Sequence, residues 1–183
     1  MWKSDRLRLR KMETKDIELY HTWRNDMDVM MMTSPSLDVY TLEETRSFVE
    51  NVILSSTSSK SYIIVELESN TSIGVTSLIN IDRKNRNAEC IIDIGQKESW
   101  GKGYGSEALT ILLEYAFKEL NLHRVSLRVF SHNEKAIHLY TKLGFIKEGV
   151  SRDALYRNGR WHDIVHMGML KSEYMLEDGN KKR

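Results

Sequence analysis

The stretch Gly101-Lys102-Gly103-Tyr104-Gly105-Ser106 places three glycines at alternate positions. It follows the apolar run Ile91-Ile92-Asp93-Ile94-Gly95 and precedes a helix-forming segment. Glycine removes the side chain where a ligand must approach backbone amides closely. The first turn of a helix leaves amide donors unpaired, and its dipole favours an anion there. Gly101 to Ser106 therefore reads as a pyrophosphate cradle held by backbone, with Lys102 adding charge. The spacing is not the dinucleotide Gly-x-Gly-x-x-Gly, and no Gly-Lys-Ser/Thr closes it, so an ATPase-type phosphate loop is not supported. A strand–helix turn that holds no ligand is the alternative on these residues alone.

Other side chains have chemistry within reach but compete with plainer roles. On spacing alone Tyr140 shares a helix face with Ala136, Ile137 and Leu143 and reads as a core aromatic. Strand alternation puts Glu89, Ile91 and Asp93 on one face. Glu89 then lines a site or sits as a strand-end charge paired with Arg86 or Arg83. His162 and His166 share a face with Asp163 on the other, and no third ligand is in view, so no metal is expected. Cys90 should point into a core layer and has no partnered base. Met27, Met30, Met31 and Met32 suggest an adaptable pocket wall, with core roles expected for at least two. Trp23 and Trp161 border the same pocket or are buried.

The elements that must position these groups follow from periodicity. Leu7 and Leu9 alternate with arginines as a first strand. Thr14 resembles a helix cap before Ile17, and Thr41-Leu42-Glu43-Glu44 fits a capping box opening a helix to about Leu54. Tyr62–Leu67, Ile73–Ile81 and Ala88–Ile94 read as strands, with turns at Asn70 and Asp82–Asn87. A long amphipathic helix runs from the glycines to about Leu120. Arg124–Phe130 is a strand, and Asn133–Leu143 is a helix stopped by Gly144. Phe145–Val150 and Asp163–Leu170 close the order, with Asn158-Gly159 a turn signal between them. Strands come first and then alternate with helices, an α/β plan with a mixed sheet.

The bulk properties set limits. A chain of 183 residues suits one domain, here residues 1–176, with a polar tail at 177–183. A net charge of +1 without a long basic stripe gives no reason to expect nucleic acid or an anionic membrane as partner. The single cysteine excludes an internal disulfide, and no run approaches a membrane span. The N-terminus lacks an apolar signal core, so a cytoplasmic setting is expected.

Ser131-His132-Asn133-Glu134-Lys135-Ala136 and the following Tyr140-Thr141-Lys142-Leu143-Gly144-Phe145 lie one strand and one helix beyond the glycine turn. Together the two segments resemble the GCN5-related N-acetyltransferase (GNAT) family. Gly101–Ser106 matches its acetyl-CoA signature, and Asn133–Phe145 matches its asparagine, alanine, tyrosine and leucine-glycine-phenylalanine pattern. Trp100 stands where the family often has Arg or Gln. An aromatic there, with Tyr156–Asp163 and Gly168-Met169-Leu170, resembles the ribosomal-protein (RimJ/RimL-like) branch.

The resemblance implies the GNAT fold: a mixed central β-sheet of about seven strands with splayed middle strands, flanked by about four helices. It implies acetyl-CoA as cosubstrate. The pantetheine arm would pair with backbone near Asp93, Ile94 and Gly95, and the phosphates would sit on Gly101, Lys102, Gly103, Tyr104, Gly105 and Ser106. Asn133, Ala136 and Tyr140 would contact the coenzyme. Tyr140 would be the acid that protonates the leaving thiolate, and Glu89 the base acting through water. A homodimer through Asp163–Leu170 is a further expectation by resemblance.

The acceptor is an amine. A protein or peptide N-terminus fits the ribosomal branch. The Arg86-Asn87-Ala88-Glu89 segment and Asn133–Phe145 also resemble bacterial spermidine acetyltransferases. Asp26, Asp28, Asp38, Glu43 and Glu44 would then face the polycation. Asn80 and Pro35-Ser36 depart from that group's acidic positions. An aminoglycoside or amino-sugar acceptor is open as well. A non-catalytic acyl-CoA-binding module is the alternative of another class, and Tyr140 argues against it.

Overall fold

The computed structural model describes residues 2–181. Lys182 and Arg183 of the expected tail lie outside the described residues. Seven strands form one sheet in the order β1-β2-β3-β4-β5-β7-β6. They are β1 (Leu7–Lys11), β2 (Lys60–Glu66), β3 (Ser72–Asp82), β4 (Asn87–Ile94), β5 (Arg124–Phe130), β6 (Ile146–Arg157) and β7 (Arg160–Leu170). The described residues form six α-helices: α1 (Ile17–Arg24), α2 (Met27–Thr33), α3 (Leu42–Phe48), α4 (Tyr104–Glu114), α5 (Glu134–Lys142) and α6 (Lys171–Lys181).

The chain forms two compact units: residues up to Ile79 with Ile91–Leu112, and Asn80–Cys90 with residues from Leu113 on. In the first, β1 pairs antiparallel with β2, and β2 with β3. Leu7 and Leu9 point into the core as their alternation requires. Met12, Ile17, Trp23, Val49, Ile63, Val65 and Val75 pack as one apolar cluster. Thr41 and Glu44 form the expected reciprocal capping box, and the helix continues from α3 in π geometry to Leu54.

In the second unit β5 pairs antiparallel with β7, and β7 with β6. Phe117, Val125, Leu127, Met167 and Met169 are buried. Asn158 and Gly159 both take positive φ, 51° and 77°, as the tight hairpin between β6 and β7 demands. β4 pairs in parallel with β5 over Asn87–Glu89 and Arg124–Ser126. Both strands run on beyond that three-residue ladder, β4 to Ile94 and β5 to Phe130.

Several expectations need correction. Thr14 is not the cap. Glu13 caps a 3-10 turn at Thr14–Asp16, with Asp16 reaching back to the Glu13 amide, and α1 begins at Ile17. The methionine cluster lies on the helix α2, capped by Asp26, whose carboxylate accepts from the Asp28 amide at 3.0 Å, and the expectation of at least two core methionines does not hold. Of its methionines only Met30 is buried, while Met27 and Met32 are exposed. Short segments give too few turns for periodicity to separate a helix from a loop. The backbone of the expected tail is helical as far as Lys181 in α6. β7 is bonded on both edges, by β5 and by β6, and the outer strand is β6.

Candidate active site

In the first unit β4 delivers the glycine turn to α4. Gly101 and Gly103 have φ of 74° and 82°, a region that disfavours any residue with a Cβ. The Glu107 amide makes its bond back to the Gly103 carbonyl. The amides of Tyr104, Gly105 and Ser106 therefore precede the first rung of the helix, as an anion site requires. Ser4 and Arg6 hold Glu107, with Arg6 Nε donating at 2.8 Å, and Arg6 Nη1 donates to the Lys102 carbonyl at 3.1 Å. The Tyr104 ring lies under the Arg6 guanidinium at 4.7 Å, and its hydroxyl donates to Glu66. Tyr104 thus offers the cradle its amide, not its phenol.

Trp100, the departure from the family pattern, has a local task. Its indole Nε1 donates to the Ile94 carbonyl at 2.7 Å, fastening the turn to the end of β4. Gly95 is buried, and a Cβ there would fall 2.2 Å from Trp23 Cγ. Trp23 belongs to the core cluster, so the indole of α1 fills the space next to Gly95.

Asp93 is half-buried on β4. Loss of water raises its carboxyl to about 6, while a hydrogen bond with the Thr33 side chain works the other way. Burial likewise pushes the Tyr20 phenol up to about 12, assisted by the charge of Asp93. Beside Tyr20 on α1, Arg24 stacks its guanidinium over Tyr40 at 3.7 Å and Phe48 at 4.4 Å. The Lys97 ammonium bridges Asp26 at 3.0 Å and Asp28 at 2.8 Å. Those two hydrogen bonds raise the lysine and lower Asp26. Glu44 is spent on its capping box, and Asp38 accepts from the Val39 amide.

The second unit carries the other group. Asn133 caps α5, its Oδ1 accepting from the Ala136 amide at 3.2 Å. No residue of α5 is buried, and Ala136 and Tyr140 are half-buried. Tyr140 is therefore not the core aromatic that spacing suggests. Its ring meets Phe145 edge-on at 6.1 Å.

Glu89 is paired, but not with Arg86 or Arg83. Arg128 Nε on β5 donates to it at 2.7 Å. Cys90 is buried and its thiol is pushed up to about 12 by burial, which removes it as a nucleophile. The late histidines have structural partners: His166 Nε2 with Ser151 Oγ at 2.7 Å, and His162 edge-on to His132. Asp163 Oδ1 accepts from the Asp153 amide. Among the described residues no group of three His, Cys, Asp or Glu side chains is gathered to hold a metal, and no helix is long and apolar enough to cross a membrane.

Periodicity does not reveal Tyr20, Thr33 or Lys97. One signal was available: Tyr20 and Arg24 are four apart, and so lie on one face of α1.

The glycine turn that opens α4 and the Asn133-capped helix α5 are the two segments whose sequences resemble the acetyl-CoA-dependent acetyltransferases. The class is thus that of the coenzyme-A-dependent acyltransferases. The chain belongs to the GNAT acetyltransferases: the family model described as "Acetyltransferase (GNAT) domain" matches residues 6–146. It is an acetyl-CoA-dependent N-acetyltransferase.

The chain is 32% identical over 174 residues to a spermidine N(1)-acetyltransferase of Vibrio cholerae, covering 94% of this chain and 97% of that protein. It is 44% identical over 101 residues to a putative ribosomal N-acetyltransferase of Bacillus subtilis, 55% of each chain. The crystal structure of the Vibrio spermidine enzyme with CoA and spermine superposes with a TM-score of 0.86 at 29% identity, over 94% of this chain and 99% of that one. A dodecameric structure of the same enzyme gives a TM-score of 0.80 at 30% identity, over 95% and 99%.

Proposed function

We propose that the chain acetylates a primary amine of a small polyamine of the spermidine type. The observation that carries this reading is the likeness to the Vibrio enzyme along nearly the whole of both chains. The early helices support it. Asp26 and Asp28 already hold an alkylammonium group, that of Lys97, in hydrogen-bonding geometry. A protein N-terminus, as in the RimJ/RimL-like branch, is the second reading, favoured by the higher identity over the shorter match.

On either reading acetyl-CoA is held by the amides of Gly101–Ser106, by backbone at Asp93–Gly95, and by Asn133 and Ala136. The attacking amine adds to the thioester carbonyl. The carbon–sulfur bond then breaks, and Tyr140 protonates the departing thiolate. The half-exposed setting of Tyr140 on α5 supports that role. Glu89 is the base in this reading, taking the proton that the amine gives up through water; its carboxylate also accepts from Arg128 Nε at 2.7 Å. None of these steps calls for a metal. A reducing, cytoplasmic setting is consistent with the single buried cysteine, and self-association would use the outer β6–β7 hairpin.

Thiol release from acetyl-CoA with spermidine, spermine and alanine-headed peptides separates the readings. Turnover with the polyamines supports the first; turnover confined to the peptides replaces it with the second. Tyr140→Phe should lower kcat roughly 10²–10⁴-fold while leaving acetyl-CoA binding, measured by calorimetry, within a few-fold of wild type. Unchanged turnover would remove Tyr140 from the mechanism.

A further inference from the structure

Arg6 stands one residue before β1. Its carbonyl accepts from the Leu67 amide at 2.8 Å, so the pairing of β1 with β2 fixes where the side chain starts. Among the described residues its side-chain partners all belong to the glycine turn and the first turn of α4. Nε donates to Glu107 Oε2 at 2.8 Å, and Nη2 donates to the same oxygen. Nη1 donates to the Lys102 carbonyl at 3.1 Å, and the guanidinium lies over the Tyr104 ring at 4.7 Å. A Cβ on Gly103 would come within 3.5 Å of Nη2. The side chain is half exposed, a setting in which an ion pair by itself adds little stability.

These bonds have two consequences for an anion at the turn. A trans peptide points its carbonyl and the next amide in opposite directions, and no peptide among the described residues is cis. With the Lys102 carbonyl held by Arg6, the Gly103 amide is turned away from Arg6. Among the described residues no backbone carbonyl accepts from that amide. It stands as a fourth donor beside those of Tyr104, Gly105 and Ser106. The second consequence concerns charge. Glu107 lies in the first turn of α4, and the helix end that attracts a phosphate attracts a carboxylate as well. The Arg6 guanidinium takes one carboxylate oxygen, and the Arg6 amide and Ser4 hydroxyl take the other. The competing charge is neutralised where it stands.

This inference rests on the reading that Gly101–Ser106 holds the pyrophosphate of acetyl-CoA. We propose that Arg6 is the positioning residue of that phosphate site: it aims the Gly103 amide and masks the charge of Glu107. It acts on neither the acetyl group nor the amine. Lysine would keep the charge but lacks the planar fork that serves Glu107 and the Lys102 carbonyl together.

The test is steady-state kinetics of the whole enzyme with acetyl-CoA and with S-acetylpantetheine, which carries the same thioester and no pyrophosphate. The amine is whichever of spermidine, spermine or an alanine-headed peptide the wild type turns over fastest. Arg6→Ala should raise KM for acetyl-CoA roughly 10–100-fold and leave kcat at saturating coenzyme within about two-fold of wild type. Its kcat/KM with S-acetylpantetheine should stay at the wild-type value, and Arg6→Lys should fall between the two proteins. Adding Glu107→Gln to Arg6→Ala should recover part of the lost affinity, because the unmasked carboxylate is gone. A residue that only braced the fold would gain nothing from that second change.

An unchanged KM for acetyl-CoA in Arg6→Ala overturns the proposal, and so do equal losses with the two thioesters. A double variant that binds acetyl-CoA no better than Arg6→Ala overturns it as well. Should Arg6→Ala fail to fold, Arg6→Lys carries the same comparison, its loss again confined to acetyl-CoA. A wild type that uses S-acetylpantetheine as efficiently as acetyl-CoA is a different result: it removes the pyrophosphate from the glycine turn, and the proposal with it.

Discussion

Burial holds the Asp93 carboxyl near 6, against an ordinary value of 3.8, with the Thr33 hydrogen bond opposing the rise. A carboxyl raised in the native state is bound to its proton more firmly there than in the unfolded chain. Its contribution to stability is therefore complete below about pH 4 and is lost as pH climbs through 6. Above that, the native state bears the cost of an ionised, poorly hydrated group. Asp93→Asn removes the charge and keeps the shape. It should raise unfolding free energy at pH 8 by on the order of 2 kcal/mol and give no gain at pH 4, read as urea midpoints at the two pH values. An equal gain at both would place the effect in packing.

At the scale of elements, the approach of α1 to the end of β4 depends on one missing side chain. The Trp23 indole occupies the space a Cβ on Gly95 would take, at 2.2–2.6 Å from three ring atoms. The indole is buried among Met12, Ile17, Val49 and Ile63 and has little room to retreat. Gly95→Ala should cost about 1–3 kcal/mol by overpacking and raise KM for acetyl-CoA, because β4 and its turn must shift. Calorimetric melting and a coenzyme titration check both; a variant as stable as wild type would show that α1 gives way freely.

The same contact marks where sequence reading stops. The glycine turn, the Asn133 cap and the strand order were legible because each depends on near neighbours in the chain. Gly95 was not legible as the seat of Trp23, which lies 72 positions away. Thr33 beside Asp93, Lys97 across Asp26 and Asp28, and Arg128 on Glu89 are likewise products of packing between distant segments. Helix α2 escaped notice for another reason: two turns of Met, Val and Thr carry no clear apolar stripe.

For the whole molecule, the outer hairpin is the feature that a lone chain leaves unexplained. In the strand order β6 is terminal and pairs with β7. Ile146, Val150, Tyr156 and Trp161 are exposed on this hairpin, the last two at 59% each. Tyr156 and Trp161 face one another at 5.0 Å between ring centroids, a cross-strand aromatic pair presented to solvent. A cluster of large apolar side chains on a surface marks an interface. The occupant argued for is a second copy, because the same aromatic pair on another chain is the surface it matches. Light scattering on the purified chain should therefore give a mass of two or more chains. Trp161→Glu, which sets a charge in the middle of the aromatic pair, should shift the mass toward a single chain while leaving the melting transition cooperative. A wild-type chain that is monomeric at tens of micromolar would assign the hairpin another role. An assembly indifferent to Trp161→Glu would move the interface elsewhere.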